Sequence, residues 1–129
     1  MGLDLLAIVL RLEMAFGIKF ERGEEVAMLG QRPLSDLTAG QVYGYVFHKV
    51  RDRWPDTPGR AIAADCPCAV CRYNLRGLFP GGVCPECGTP TDLEAHVTIG
   101  VRRVLAEVLG ADPHELRPDS RLFEQGGGF

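Results

Sequence analysis

Two Cys-x-x-Cys pairs, Cys68-Ala-Val-Cys71 and Cys84-Pro-Glu-Cys87, stand twelve residues apart and constrain this chain more than any other stretch of it. Each pair sets two sulfurs on one tight turn, and two such turns facing each other complete a tetrahedral four-thiolate site. Zinc is the cation that this donor set and spacing favour. With four protein ligands no coordination position is open to water or substrate, so the metal holds the fold and does no chemistry. In small finger peptides structural zinc contributes on the order of 10–16 kcal/mol of apparent binding free energy, comparable to the stability of a whole domain. Residues 60–91 are expected to unfold without it.

The rest of the composition sets the frame for that site. A chain of 129 residues can hold one ordinary domain, or two small ones of which one needs such a staple. Cys66, two positions before Cys68, is a spare thiol, either a bystander or a substitute ligand. Five cysteines, four of them closely paired, fit metal ligation in a reducing compartment better than a disulfide framework, which points to the cytoplasm. Residues 3–16 are strongly apolar, but Asp4, Arg11 and Glu13 interrupt a run too short to cross a bilayer, and a basic leader and a cleavage site are both lacking. No membrane role is expected. The net charge of −3 divides into −1 over residues 1–59, +1 over 60–91 and −3 over 92–129, so no segment is basic enough to imply nucleic acid.

Helical periodicity flanks the cysteine segment on both sides. Leu5, Ile8, Val9, Leu12 and Phe16 mark one helix stopped by Gly17. A second apolar line on it, Leu6, Leu10 and Met14, is either core or a partner surface. A short helical turn is expected around residues 24–29. Thr38-Ala-Gly-Gln41 has the form of a capping box for a helix carrying Val42, Tyr45, Val46 and Val50, which ends near Trp54 because Pro55 follows. Pro58-Gly59 then marks a boundary. Beyond the proline- and glycine-rich cysteine segment, Thr91-Asp-Leu-Glu94 reads as another capping box, and Val97, Val101, Val104, Leu105 and Val108 give a helix ending at Gly110. Asp112-Pro-His-Glu115 suggests one further turn. His48, His96 and His114 stand singly and are expected to be surface or packing residues. No Ser-His-Asp, Cys-His or paired-carboxylate arrangement can be assembled, so no catalytic residue is expected.

Several stretches carry family resemblances. Cys68-Ala-Val-Cys-Arg-Tyr-Asn-Leu-Arg-Gly77 followed by Cys84-Pro-Glu-Cys-Gly88 resembles the short zinc ribbons of planctomycete-type bacterial proteins, which implies a fold of short β and loop structure and no particular activity. Cys71-Arg-Tyr73 and Cys84-Pro-Glu-Cys-Gly88 also resemble rubredoxin knuckles, which keeps iron as a minor alternative, although a twelve-residue gap suits a zinc ribbon better. On the flanks, residues 3–18, Leu3-Asp-Leu-Leu-Ala-Ile-Val-Leu-Arg-Leu-Glu-Met-Ala-Phe-Gly-Ile18, resemble the second helix of acyl carrier proteins. Thr38-Ala-Gly-Gln-Val-Tyr-Gly-Tyr45 resembles their last helix. Val101-Arg-Arg-Val-Leu-Ala-Glu-Val-Leu-Gly110, continuing through Leu116-Arg-Pro-Asp-Ser-Arg-Leu-Phe-Glu124, resembles their first helix and the loop behind it. The family's first block here comes last.

The resemblance therefore implies a mainly α fold, a small carrier-like bundle that is circularly permuted or domain-swapped, with a zinc ribbon inserted. Residues 1–58 would supply the second to last helix blocks, 60–91 the ribbon and 92–129 the first-helix block. In that family a serine in Asp-Ser-Leu carries phosphopantetheine, and the matching place here is Met1-Gly2-Leu3-Asp4, where Gly2 has no hydroxyl. Ser35 and Ser120 are the only serines, and neither occupies that position. The expectation is a noncatalytic interaction or scaffold module whose partner is another protein or a second copy of itself. The alternative is a functional acyl or peptidyl carrier, or a truncated part of a tandem carrier. Typical carriers offer an acidic second helix to basic enzymes, whereas this one has only Asp4 and Glu13 with Arg11 between them.

Overall fold

The computed structural model describes residues 2–21, 23–24, 37–55, 59–110, 112 and 116. Three α-helices lie among them: α1, Gly2–Phe16; α2, Ala39–Val50, running into a 3-10 turn at Arg51–Arg53; and α3, Leu93–Leu109. Of the turns expected at 24–29 and 112–115, all but residues 24 and 112 lie outside the described residues, as do both serines and His114.

Each helix begins and ends for a local reason. The last turn of α1 closes through Gly17, whose φ of 63° lets the Ile18 amide reach back to the Glu13 carbonyl at 3.2 Å. On α2 the capping box forms as expected, with the Thr38 amide donating to Gln41 Oε1 at 2.9 Å and the Gln41 amide donating to Thr38 Oγ1 at 3.3 Å. On α3 the cap is one residue later than the sequence suggests. Asp92, not Thr91, accepts the Ala95 amide at 3.1 Å, because Thr91 is buried and its hydroxyl donates to the Phe79 carbonyl at 2.8 Å. Gly110, at φ 68°, ends α3.

Both α1 and α2 pack against α3, so the two ends of the described chain meet within one molecule. Ile8, Leu12 and Phe16 of α1, Val42, Val46 and Val50 of α2, and Val97, Val101 and Leu105 of α3 form the main core. The close approach of α1 to α3 depends on Gly100, because a β-carbon there would lie 2.4 Å from Phe16 Cζ. A second, smaller core joins Trp54 and Ile62 to Cys66, Cys68, Leu75 and Cys84, and Leu93 packs against both.

The cysteine segment forms no strand among the described residues. Where short β structure was expected there are two isolated antiparallel bridges, Pro67 with Asn74 and Val83 with Pro90. Each spans one tight cysteine turn, too short for a ladder to propagate.

Candidate metal centre

The two cysteine turns are built on one backbone plan. In the first, the Cys68 amide donates to the Tyr73 carbonyl at 2.8 Å, Arg72 to Cys68 at 3.1 Å, and Leu75 to Cys66 at 2.8 Å. In the second, Cys84 donates to Thr89 at 2.8 Å, Gly88 to Cys84 at 2.8 Å, and Thr91 to Gly82 at 3.0 Å, each bond displaced by the interval from 68 to 84. Residues 66–75 and 82–91 are thus a structural repeat, although only the two cysteines of each pair coincide in sequence. Both turns need a left-handed residue directly after the second cysteine. Gly88 takes it at φ 78°, but Arg72 takes it at φ 69° with a side chain present.

These turns bring the four predicted ligands together. Cys68 Sγ lies 3.6 Å from Cys87 Sγ and Cys71 Sγ 3.6 Å from Cys84 Sγ, and all four sulfurs fall within 4.8 Å of one another. A tetrahedral cation with metal–sulfur bonds of ~2.3 Å separates its sulfurs by about 3.8 Å, so the cluster is at the scale of such a site. Cys68, Cys71, Cys84 and Cys87 can hold a metal ion, and they are the one such group among the described residues. Cys68 and Cys84 are buried while Cys71 and Cys87 face outward.

Neighbouring groups tune the sulfurs. The Val70 amide points at Cys68 Sγ from 3.5 Å, and the Thr89 hydroxyl lies 3.0 Å from Cys87 Sγ. The Thr89 hydroxyl and amide pull Cys87 down to about 6. For Cys71 the Tyr73 amide pulls downward, yet desolvation and the three facing sulfurs outweigh it and push that thiol up to about 12. Four thiolates this close repel one another, so full ionisation near neutral pH calls for a cation among them. Outside the turns, Asn74 braces the first one: its Oδ1 accepts from the Cys66 and Arg76 amides, and its Nδ2 donates to Asp65 at 3.1 Å. That bond, with the Arg76 guanidinium, holds the Asp65 carboxyl below its usual range.

Cys66 stands apart from the four. Its sulfur lies 3.6 Å from His96 Nε2, where the His96 ring meets Phe16 edge-on at 5.2 Å and Trp54 at 5.0 Å. Burial pushes the Cys66 thiol up against the pull of Arg53, and burial first, then the Arg53 charge, lowers His96 to about 4. Trp54 Nε1 donates to the Thr91 carbonyl at 2.9 Å, and Arg53 donates to the carbonyls of Phe16 and Gly17. This junction between the cysteine turns and the helices was missed in the sequence. Its members are far apart in the chain, and no spacing pattern marks them.

The remaining candidates are also placed. Leu6, Leu10 and Met14 lie outside the core, 52%, 50% and 62% exposed. His48 is on the surface and His96 is a packing residue, as the sequence suggests. No described helix is long and apolar enough to cross a membrane. Comparison with known proteins finds no significant match to a family model, a curated protein or a solved structure.

Proposed function

We propose that the chain is a noncatalytic interaction module in which a structural zinc ribbon, residues 60–91, ties two helical pieces, 1–58 and 92–129, into one body. The helical pieces are the blocks of an acyl-carrier-like bundle in permuted order, without the prosthetic serine. The observation that carries this reading is the convergence of four cysteine sulfurs within 4.8 Å beside the small core around Trp54. A cation held there is saturated by protein ligands and braces the turn that leads through Thr91, whose carbonyl accepts from Trp54 Nε1, into the start of α3. Nothing in that arrangement activates water. Among the described residues the one Cys-His pair, Cys66 with His96, is 1% exposed at each member, which suits packing and denies a substrate access.

Metal analysis of the purified protein tests the reading directly. One equivalent of zinc and a colourless solution are expected. A red protein containing iron would replace the structural ribbon with an electron-transfer site, and absence of any metal would remove the clasp altogether. Incubation with a phosphopantetheinyl transferase and coenzyme A should leave the intact mass unchanged; an adduct would establish the working carrier instead.

A further inference from the structure

We infer that the outer face of α1, together with Arg72 of the first cysteine turn and Arg103 of α3, is a docking groove for an acidic amphipathic helix of a partner protein. The inference rests on the interaction role proposed above and names the chemistry of the partner.

The groove is defined by two adjoining crevices. One, of about 380 Å³, is walled by Leu10, Met14, Arg11, Arg72, Val104 and Glu107; a smaller one beside it reaches Arg103 and Cys68. Leu6, Leu10 and Met14 recur every fourth residue along α1 and span about 12 Å, two turns of a helix laid alongside. Three exposed apolar side chains in one line next to a crevice suit anchors better than isolated surface residues do.

Charge selects the occupant. The charged residues lining the crevices are Arg11, Arg72, Arg103 and Glu107, a local balance of +2 on a chain whose net charge is −3. Glu107 is paired with Arg11, while Arg72 and Arg103 have no ion-pair partner among the described residues. A helix with carboxylates beside its apolar anchors meets the guanidiniums of Arg72 and Arg103. A basic helix would meet like charge. The backbone adds a second reason to single out Arg72. The sister turn uses glycine at the same left-handed position, so an arginine there carries a local conformational cost. Arg72 lines both crevices, which gives that cost a purpose.

Two labelled helical peptides test this, identical in their leucine anchors but carrying glutamates in one and lysines in the other. Fluorescence anisotropy with the zinc-loaded full chain should show the acidic peptide binding at least about tenfold more tightly, with the preference shrinking as salt rises. Leu10→Glu should weaken the acidic peptide at least about tenfold. Arg72→Gly should weaken it about two- to fivefold without loss of metal or stability. Equal binding of both peptides, binding of neither, or an unchanged affinity in Leu10→Glu would overturn the inference. So would a doubling of mass abolished by Leu10→Glu, which would make a second copy the occupant. Zinc content measured on the same samples separates the two levels: failure of the peptides with zinc in place rejects only the groove, whereas metal-free protein rejects the zinc-clasped module itself.

Discussion

Gly100→Ala is the sharpest probe of whether the N- and C-terminal helices close on each other in this chain. By helix propensity alone the substitution should stabilise α3 by about 1 kcal/mol. The tertiary contact opposes it. An added β-carbon would sit 2.4, 2.9 and 3.1 Å from three atoms of the Phe16 ring, against ordinary contact at 3.4 Å or more, so the ring must retreat by about 1 Å. Phe16 is fully enclosed and stands edge-on to His96, which leaves α1 itself to move. Overpacking of this kind costs roughly 1–3 kcal/mol, and an overlap this deep belongs at the upper end. The expected net loss is about 2 kcal/mol, or a fall in Tm of about 8 °C for a chain of this size. Chemical and thermal denaturation in zinc-saturated buffer would measure it. Phe16→Leu should make room, so the double variant should be less destabilised than the two single changes combined, with a coupling of at least about 1 kcal/mol. A Gly100→Ala protein more stable than its parent, with no coupling to Phe16→Leu, would refute the packing of α1 on α3.

Metal removal should act through Trp54, the chain's single tryptophan, which is buried beside Cys66, Cys68 and Cys84. A strong chelator, or Cys84→Ser, should shift its emission to the red as residues 60–91 open; unchanged emission in Cys84→Ser would show that the cluster is held by packing alone. Arg72→Gly should raise the unfolding free energy by about 0.5–1 kcal/mol, because it relieves the left-handed φ at some cost in chain entropy, and a fall would mean the side chain braces the turn. His96 ties stability to pH: its folded pKa of about 4 lies below the ordinary 6.5, so the unfolded chain takes up a proton that the folded one refuses. Stability from this group is complete above pH 6.5 and falls by roughly 3 kcal/mol as pH drops to 4. Comparing wild type with His96→Gln across that window isolates the effect from metal loss, and parallel curves would rule it out. Glu24, held near 2 by the Glu21 amide, Tyr45 and Lys49, should add stability above pH 4.5 that disappears as pH falls toward 2, seen as a flatter acid limb in Glu24→Gln.

Local chemistry was legible wherever the partners lie within a few residues of each other. The apolar stripe of α1, the Thr38–Gln41 capping box, the glycine stops at 17 and 110 and the paired cysteines all depend on short-range geometry, and the structure places them accordingly. The Thr91 cap failed because a contact twelve residues back, at Phe79, claimed its hydroxyl. The repeated turn plan of 66–75 and 82–91 escaped notice for a related reason. Backbone amides and carbonyls make its bonds, so ten positions can share a conformation while agreeing only at their cysteines.

By itself, then, the order of residues determined which segments are helical and which four sulfurs can meet, because period, caps and ligand spacing act over one or two turns. Only the tertiary structure decided that α3 lies between α1 and α2, that Gly100 admits Phe16, and that Cys66, His96 and Trp54 form one buried junction. Those choices depend on shape complementarity between distant surfaces, a property of the packed whole that no local pattern encodes.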